Sequence, residues 1–301
     1  MKYFLTYGPS LVLALGMGLC GWVWVQGTMA SVVAWYVLMS VIPALAILWL
    51  LAVGVSAAFR RTWGHWRTLG VLVGLMGLWP GLWNLGVGTL PFPLEENPEH
   101  ELFVRVPLDG EVIVAWGGSS LDTNHHAFTP DQRWAYDLLV EPAMTGSGDL
   151  SEYGCYGMPV YAPVDGTVTM TVSDLPDQSG GQFTPDPVNP LGNTVVIRPA
   201  KGGFLVLAHL KPNSLTVTEG QTVIEGQIVG QCGNSGNTSE PHVHIHYQTQ
   251  DPRQTRVNFA LGRPLWFHKH EGPARPQGGI AVEGNQIRLT GDRIRHQSES
   301  E

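Results

Sequence analysis

The first ninety residues contain no aspartate or glutamate, and only Lys2, Arg60, Arg61 and Arg67 are basic. So little charge excludes a solvated surface over this stretch. Phe4–Gln26 and Ser31–Ala58 are apolar runs without a charge, each long enough to cross ~30 Å of hydrocarbon. A third run, Leu69–Gly88, is glycine-rich and interrupted by Trp79-Pro80-Gly81. No small-x-small cleavage site follows the first run, which argues for a retained span over a cleaved signal peptide. Eight of the eleven tryptophans fall here, and Trp22, Trp24, Trp63, Trp66, Trp79 and Trp83 stand near span ends, as interfacial anchors do. The spans also lack the intramembrane charges that transport pathways require. Residues 1–90 therefore read as a membrane anchor of about three transmembrane helices.

The missing acid is concentrated further on. The whole chain carries −8, so residues 91–301 carry −12, a balance that argues against nucleic acid as partner. The arginines cluster between the second and third spans and Lys2 precedes the first, so both ends of the first hairpin belong in the cytoplasm. Three spans then carry residue 91 onward to the periplasmic or extracellular side of the inner membrane. Cysteine is scarce: Cys20 lies in the first span, and Cys155 and Cys232 lie in the exported part. An oxidising compartment permits a disulfide between the last two, and the sequence leaves its formation open.

The exported part also lacks any long segment of helical period. Instead it holds short β-like runs separated by Gly, Pro, Asn and Asp: Glu111–Trp116, Pro159–Ala162, Thr167–Val172, Thr194–Arg198, Phe204–His209, Thr222–Ile224, Ile228–Gln231 and His242–Gln248. That spacing predicts an all-β domain over 101–270, an antiparallel sheet of sandwich or barrel-like form. Pro91–His100 reads as a linker, and Ser173–Pro190 as a long surface loop. Over 271–301 the sequence predicts a hairpin, Ile280–Arg288 with Gly284-Asn285 as its turn, and a disordered charged tail, "RIRHQSESE".

Histidines carry the chemical signal. "PHVHIHY" places His242, His244 and His246 on one face of a strand, after the Gly/Asn-rich turn Gly233–Asn237. Two further contexts are Asn124-His125-His126 and Ala208-His209-Leu210. Zinc takes imidazole and carboxylate, and a catalytic zinc needs three protein ligands and an open position. Asp137 lies in the apolar run "RWAYDLLV", where a buried carboxylate needs a partner: a metal, an arginine or backbone donors. Asp122, Asp131 and Asp165 stand in turn-like contexts and read as caps or turn formers.

Together "NHH", "AYDLL", "GMPVYAPVDGTV", "GNTVVI", "LVLAHLKPNSL" and "VTEGQTVIEGQIVGQCGNSGNTSEPHVHIHY" resemble the lysostaphin-like (LytM-type) zinc metalloendopeptidases that cut peptidoglycan cross-links. The resemblance runs from about His126 to Gln248. It implies zinc as cofactor, His126, Asp137 and His244 as its ligands, and His209 and His242 as catalytic histidines. It also implies peptidoglycan peptides as substrate, with an activating protein partner left unknown. Zinc would polarise the scissile carbonyl and acidify water; one of His209 and His242, with His242 favoured, would take the proton, and the other would stabilise charge on the carbonyl oxygen. Two features depart from the family pattern. Ten residues, Ala127–Tyr136, separate His126 from Asp137 where three are usual, which leaves His125 as the rival ligand to His126. His246 stands where the family commonly has Glu, and it reads as a non-ligand that either orients a ligand or faces solvent.

Rival classes follow from the same residues. A non-catalytic wall-binding or amidase-activating module would keep the scaffold and lose ligands, yet all five residues are present. A lipoyl-type carrier would need an acceptor lysine in an exposed hairpin, and neither Lys201 nor Lys211 has that context.

Overall fold

The computed structural model describes residues 2–59, 64–85, 87, 102–118, 120–284 and 286–297. The expected linker over 91–100, Arg60 and Arg61, Asn285 and residues 298–301 lie outside the described residues. The chain divides into two compact units, Met1–Glu96 and Asn97–Glu301.

In the first unit α1 (Lys2–Val25) is followed by α2 (Met29–Tyr36), a π-type turn (Val37–Val41) and α3 (Ile42–Phe59), and then by α4 (His65–Leu82). Among the described residues, three helices are long and apolar enough to cross a membrane: Tyr7–Val25, Met29–Phe59 and His65–Leu85. The third begins four residues before the apolar run and continues through Pro80, then tightens into a 3₁₀ turn at Trp83–Leu85. Gly70, Gly74, Gly77 and Gly81 recur along α4 where it packs on α3. A Cβ on Gly74 would stand 2.6 Å from the Leu50 side chain, and one on Gly77 2.8 Å from that of Ala46. Hydrogen atoms at these positions let two apolar helices approach closely. Two of the expected interfacial anchors are placed otherwise. Trp24 and Trp83 are buried and stack on either side of Trp35, at 4.5 and 5.8 Å between ring centroids. Aromatic area pays best where helices meet, which is where these rings lie.

In the second unit the strands are β1 (Leu102–Val104), β2 (Glu111–Trp116), β3 (Tyr136–Leu139), β4 (Pro159–Tyr161), β5 (Gly166–Val172), β6 (Asn193–Pro199), β7 (Phe204–Leu210) and β8 (Thr222–Val223). They continue with β9 (Ile228–Gln231), β10 (Val243–Gln248), β11 (Gly262–Arg263), β12 (Leu265–Phe267), β13 (His270–Glu271), β14 (Ile280–Glu283), β15 (Gln286–Leu289) and β16 (Arg293–His296). One antiparallel sheet runs β13-β16-β2-β3-β10-β7-β6-β5-β8, with β11 on β10. Small two-stranded pairs flank it: β4-β9, β14-β15 and the parallel β1-β12. The fold is a mostly antiparallel β domain.

Alternation sorts the central strands into two faces. Val243 and Ile245 of β10, Leu205 and Leu207 of β7, and Val195 and Ile197 of β6 point into the main core. The opposite face carries Val196, Val206 and Ala208 and, on β10, His244 and His246. Both faces of β10 are buried. The core also holds a disulfide between Cys155 and Cys232.

The expected disordered tail is corrected over Arg293–His296. These residues form β16 and extend the sheet beside β2, with Ile294 opposite Val112. One apolar residue explains the pairing: Ile294 is 1% exposed, while Arg293 ion-pairs with Glu111 and Glu141. A strand with a single inward side chain among basic residues reads as a charged tail. The expected hairpin forms as β14-β15, with Gly284 at φ +64°.

Candidate metal centre

Three neighbouring strands and one short turn bring the histidines together. β10 lies between β3 and β7, and the register sets His244 directly opposite Asp137 on one side and Ala208 on the other. Asp137 and His209 thereby flank the same strand. His126 comes from a 3₁₀ turn, His125–Phe128, whose Asn124 cap holds it against the sheet. The Asn124 side chain accepts from the His126 N–H and donates to the carbonyls of Gly118, Arg133 and Ala135. It is fully buried, so no water competes for these bonds.

Asp137 is the hub. Its Oδ2 lies 2.9 Å from His126 Nε2 and its Oδ1 2.8 Å from His244 Nδ1. His242 Nε2 stands 3.7 Å from Oδ1. Burial pushes the Asp137 carboxyl up, but the surrounding histidines, His126 and His242 first, hold it well below the usual carboxylate range. The ligand atoms of His125, His126 and Asp137 lie within 4.8 Å of one another. Of the two adjacent histidines, His126 reaches the carboxylate, while the His125 ring packs edge-on against Trp116.

His209 and His242 share one arrangement. Each places Nδ1 2.8 Å from a backbone carbonyl, Ser235 for His209 and Glu240 for His242. A carbonyl only accepts, so Nδ1 carries the proton and Nε2 keeps its lone pair. The two rings lie 4.6 Å apart between centroids. Burial, then the neighbouring His242 and His244, hold the His209 pKa well below its usual value. His209 also has a left-handed backbone, φ +62°, inside a strand, where the β6–β7 register shifts. Its N–H bonds to Leu191 O and its carbonyl accepts from Gly233 N–H, so the surrounding backbone holds a conformation that costs on the order of 1–2 kcal/mol.

The turn Gly233–Asn237 supplies that support. A Cβ on Gly233 would meet the Lys211 backbone at 2.3 Å, and Gly236 has φ +84°. Asn234 donates to Gln178 O, and Asn237 accepts from Asp186 N–H, so the turn also holds the loop over 173–190. That loop forms one wall of a groove of about 660 Å³ over the site, with Phe183 and Val188 beside His126, His209 and His244.

His246 is buried and faces neither solvent nor the carboxylate. Its Nδ1 lies 2.9 Å from His244 Nε2, and its Nε2 lies 3.0 Å from Gln248 Oε1. Asp131, expected to form a turn, is 3% exposed and accepts from Asn258 N–H through Oδ2, and burial raises its pKa to about 6. Asn124, Ser235, Glu240 and Gln248 escaped sequence reasoning. Only Asn124, standing before two histidines, offered a signal there.

Residues 152–258 match the model of peptidase family M23. The chain carries a peptidase M23 domain. The matched segment of the M23 domain contains His209, His242 and His244, while His126 and Asp137 precede it. A curated relative from Haemophilus influenzae, described as an uncharacterized metalloprotease, is 28% identical over 145 residues, or 48% of this chain. The matching stretch spans 24% of that relative's length. Among solved structures, the catalytic domain of a prophage-encoded M23 protein from Enterococcus faecalis is 21% identical, with 43% of this chain and 73% of that chain covered and a TM-score of 0.30. The catalytic domain of lysostaphin from Staphylococcus simulans is 19% identical, with 40% and 75% covered and a TM-score of 0.26.

Proposed function

We propose that the chain is a membrane-anchored zinc metalloendopeptidase that hydrolyses amide bonds in peptidoglycan peptide cross-links. Its M23 domain would work on the periplasmic or extracellular side of the inner membrane. The observation that carries this reading is one buried carboxylate, Asp137, bracketed by His126 and His244, with the lone pairs of His209 and His242 beside it. Two imidazoles and a carboxylate are a donor set that zinc takes readily. His126 through Nε2, Asp137, and His244 through Nδ1 would hold the ion. Zinc supplies Lewis acidity at the scissile carbonyl and acidifies water.

The chain's own groups supply the proton transfer. His242 Nε2 is a bare acceptor 3.7 Å from Asp137 Oδ1, placed to take a proton from water attacking the peptide. The Asp137 carboxylate beside His242 Nε2 would stabilise the imidazolium formed there, so the base role goes to His242. With its Nδ1–H spent on Ser235, His209 stabilises a developing oxyanion only after its Nε2 gains a proton. Until then Nε2 accepts hydrogen bonds, from water or from the peptide N–H. The groove along Phe183 and Val188 gives an extended peptide apolar contact.

The anchor and its orientation rest on the three apolar helices and on the basic residues at Lys2 and Arg60–Arg67. The Cys155–Cys232 disulfide fits an oxidising compartment. The test is metal analysis of the purified full chain in detergent, together with hydrolysis of isolated cell wall. About one zinc per chain, lost in His244→Ala, and wall peptides released by the wild type are expected. A wild-type protein that binds no zinc, or that binds zinc and releases nothing, would remove the proposal.

A further inference from the structure

The hydrogen bonds beyond His244 have a direction, and it can be read from one end. The Gln250 backbone carbonyl can only accept, so the Gln248 Nε2 amide, 2.6 Å away, is the donor. Gln248 therefore turns Oε1, an acceptor, toward His246 Nε2 at 3.0 Å. His246 Nε2 must then carry the proton, and in a neutral ring its Nδ1 is left as an acceptor. His244 Nε2, 2.9 Å from that Nδ1, must be the next donor. His244 Nδ1 is consequently bare, and it points at Asp137 Oδ1 from 2.8 Å. Two acceptors at that separation repel unless a cation lies at them both. His244, His246 and Gln248 are 1%, 1% and 4% exposed, so these bonds are largely shielded from bulk water. The Gln250 side chain is itself held, by the Leu261 N–H at 2.8 Å.

From this polarity we infer that His246 and Gln248 are positioning residues that lock His244 in the Nε2-protonated tautomer and so reserve its Nδ1 for the metal. The inference rests on the metallopeptidase reading above, and it assigns His246 a task within that site. The reverse polarity shows what the lock prevents. Were His246 protonated on Nδ1, His244 would carry its proton on Nδ1 and close a hydrogen bond onto Asp137, filling the position that a cation needs. A histidine relay accepts either polarity, and Gln248, tied to a carbonyl, makes the choice.

The experiment reads the tautomer directly. Long-range ¹⁵N–¹H correlation spectra of the metal-free full chain in detergent micelles, labelled at histidine, are compared with zinc affinity by chelator competition. In the wild type, His244 is expected to show a protonated Nε2 and a bare Nδ1. Gln248→Leu removes the direction: His244 should then populate both tautomers, and zinc affinity should fall about 10- to 100-fold. His246→Gln keeps an amide oxygen to accept from His244 and should hold affinity within a few-fold of wild type, whereas His246→Phe should match the Gln248→Leu loss. A protonated Nδ1 on His244 in the wild type overturns the inference, and so does Gln248→Leu with unchanged spectra and affinity. A zinc-free wild type with the expected tautomer would instead refute the metal reading and leave the lock standing. The wild-type spectrum decides the tautomer even if a variant fails to fold.

Discussion

A histidine serves this site according to which nitrogen carries its proton, and backbone carbonyls make that choice for His209 and His242. Neither ring is in the bracket around Asp137 formed by His126 and His244, so His209→Ala and His242→Ala should each retain zinc while turnover falls about 10²- to 10⁴-fold. Metal content and wall hydrolysis on the same preparation check this, and loss of zinc from either variant would move that residue into the ligand set. A second expectation concerns acid. Burial lowers the pKa of His244 to about 3 and of His246 to about 4, and holds His209 well below the ordinary 6.5. Between about pH 6.5 and 4 the unfolded chain therefore binds more protons than the folded one, and the metal-free protein loses stability as pH falls through that window. Asp131, raised to about 6, and Glu240 and Asp177, also raised by burial, act in the opposite sense, against these histidines and against His125, lowered to about 4, and His296, also lowered. The urea midpoint of the metal-free protein should drop between pH 7 and pH 5; a rise would refute the balance. Sequence pattern could find the histidines, because a period of two is visible in seven letters. It could not find Asn124's four bonds or the carbonyls of Ser235 and Glu240, because those partners meet only through folding.

At the scale of elements, strands with two buried faces announced themselves, and a strand with one inward side chain did not. β10 alternates apolar residues with histidines, β7 and β6 are consecutive apolar runs, and the expected bounds of all three lie within one residue of those observed. β3 was met only as an apolar run around Asp137, since its partner β10 is more than one hundred residues away. β16 was hidden by its three basic residues. Its one inward side chain fills the end of the core, so Ile294→Ala should cost about 2–4 kcal/mol, measured as a shift in urea midpoint. A change below about 0.5 kcal/mol would mean that β16 does not help to hold this end of the sheet. In the membrane unit, Gly74→Leu places a side chain where Leu50 already stands, 2.6 Å from the first added carbon. We expect that variant to separate α3 from α4, read as a loss of cross-linking between cysteines introduced on the two helices, while Gly54→Leu, which meets nothing within 4 Å, should leave it intact.

For the whole molecule, charge divides the sequence into an apolar and an acidic part, and the chain forms two compact units, Met1–Glu96 and Asn97–Glu301. The sequence left the cysteine pair open because two residues 77 positions apart give no sign of their distance. Their disulfide closes a long loop within the M23 domain, so Cys155→Ser should cost about 4 kcal/mol in the chain-entropy account, with reductant shifting the wild type toward the variant's melting temperature. Equal melting temperatures with and without reductant would contradict this. The place of β10 in the sheet has one more consequence. Asp137, His209 and His244 all lie on β3, β7 and β10, three adjacent strands inside the sheet path, with none at its ends. Strands paired on both sides do not fray, so the amide protons of β10 should exchange with deuterium only when the whole domain opens, at the slowest rate in the molecule. The metal could then leave and return many times in the lifetime of one amide proton, and the empty site would wait for it already folded.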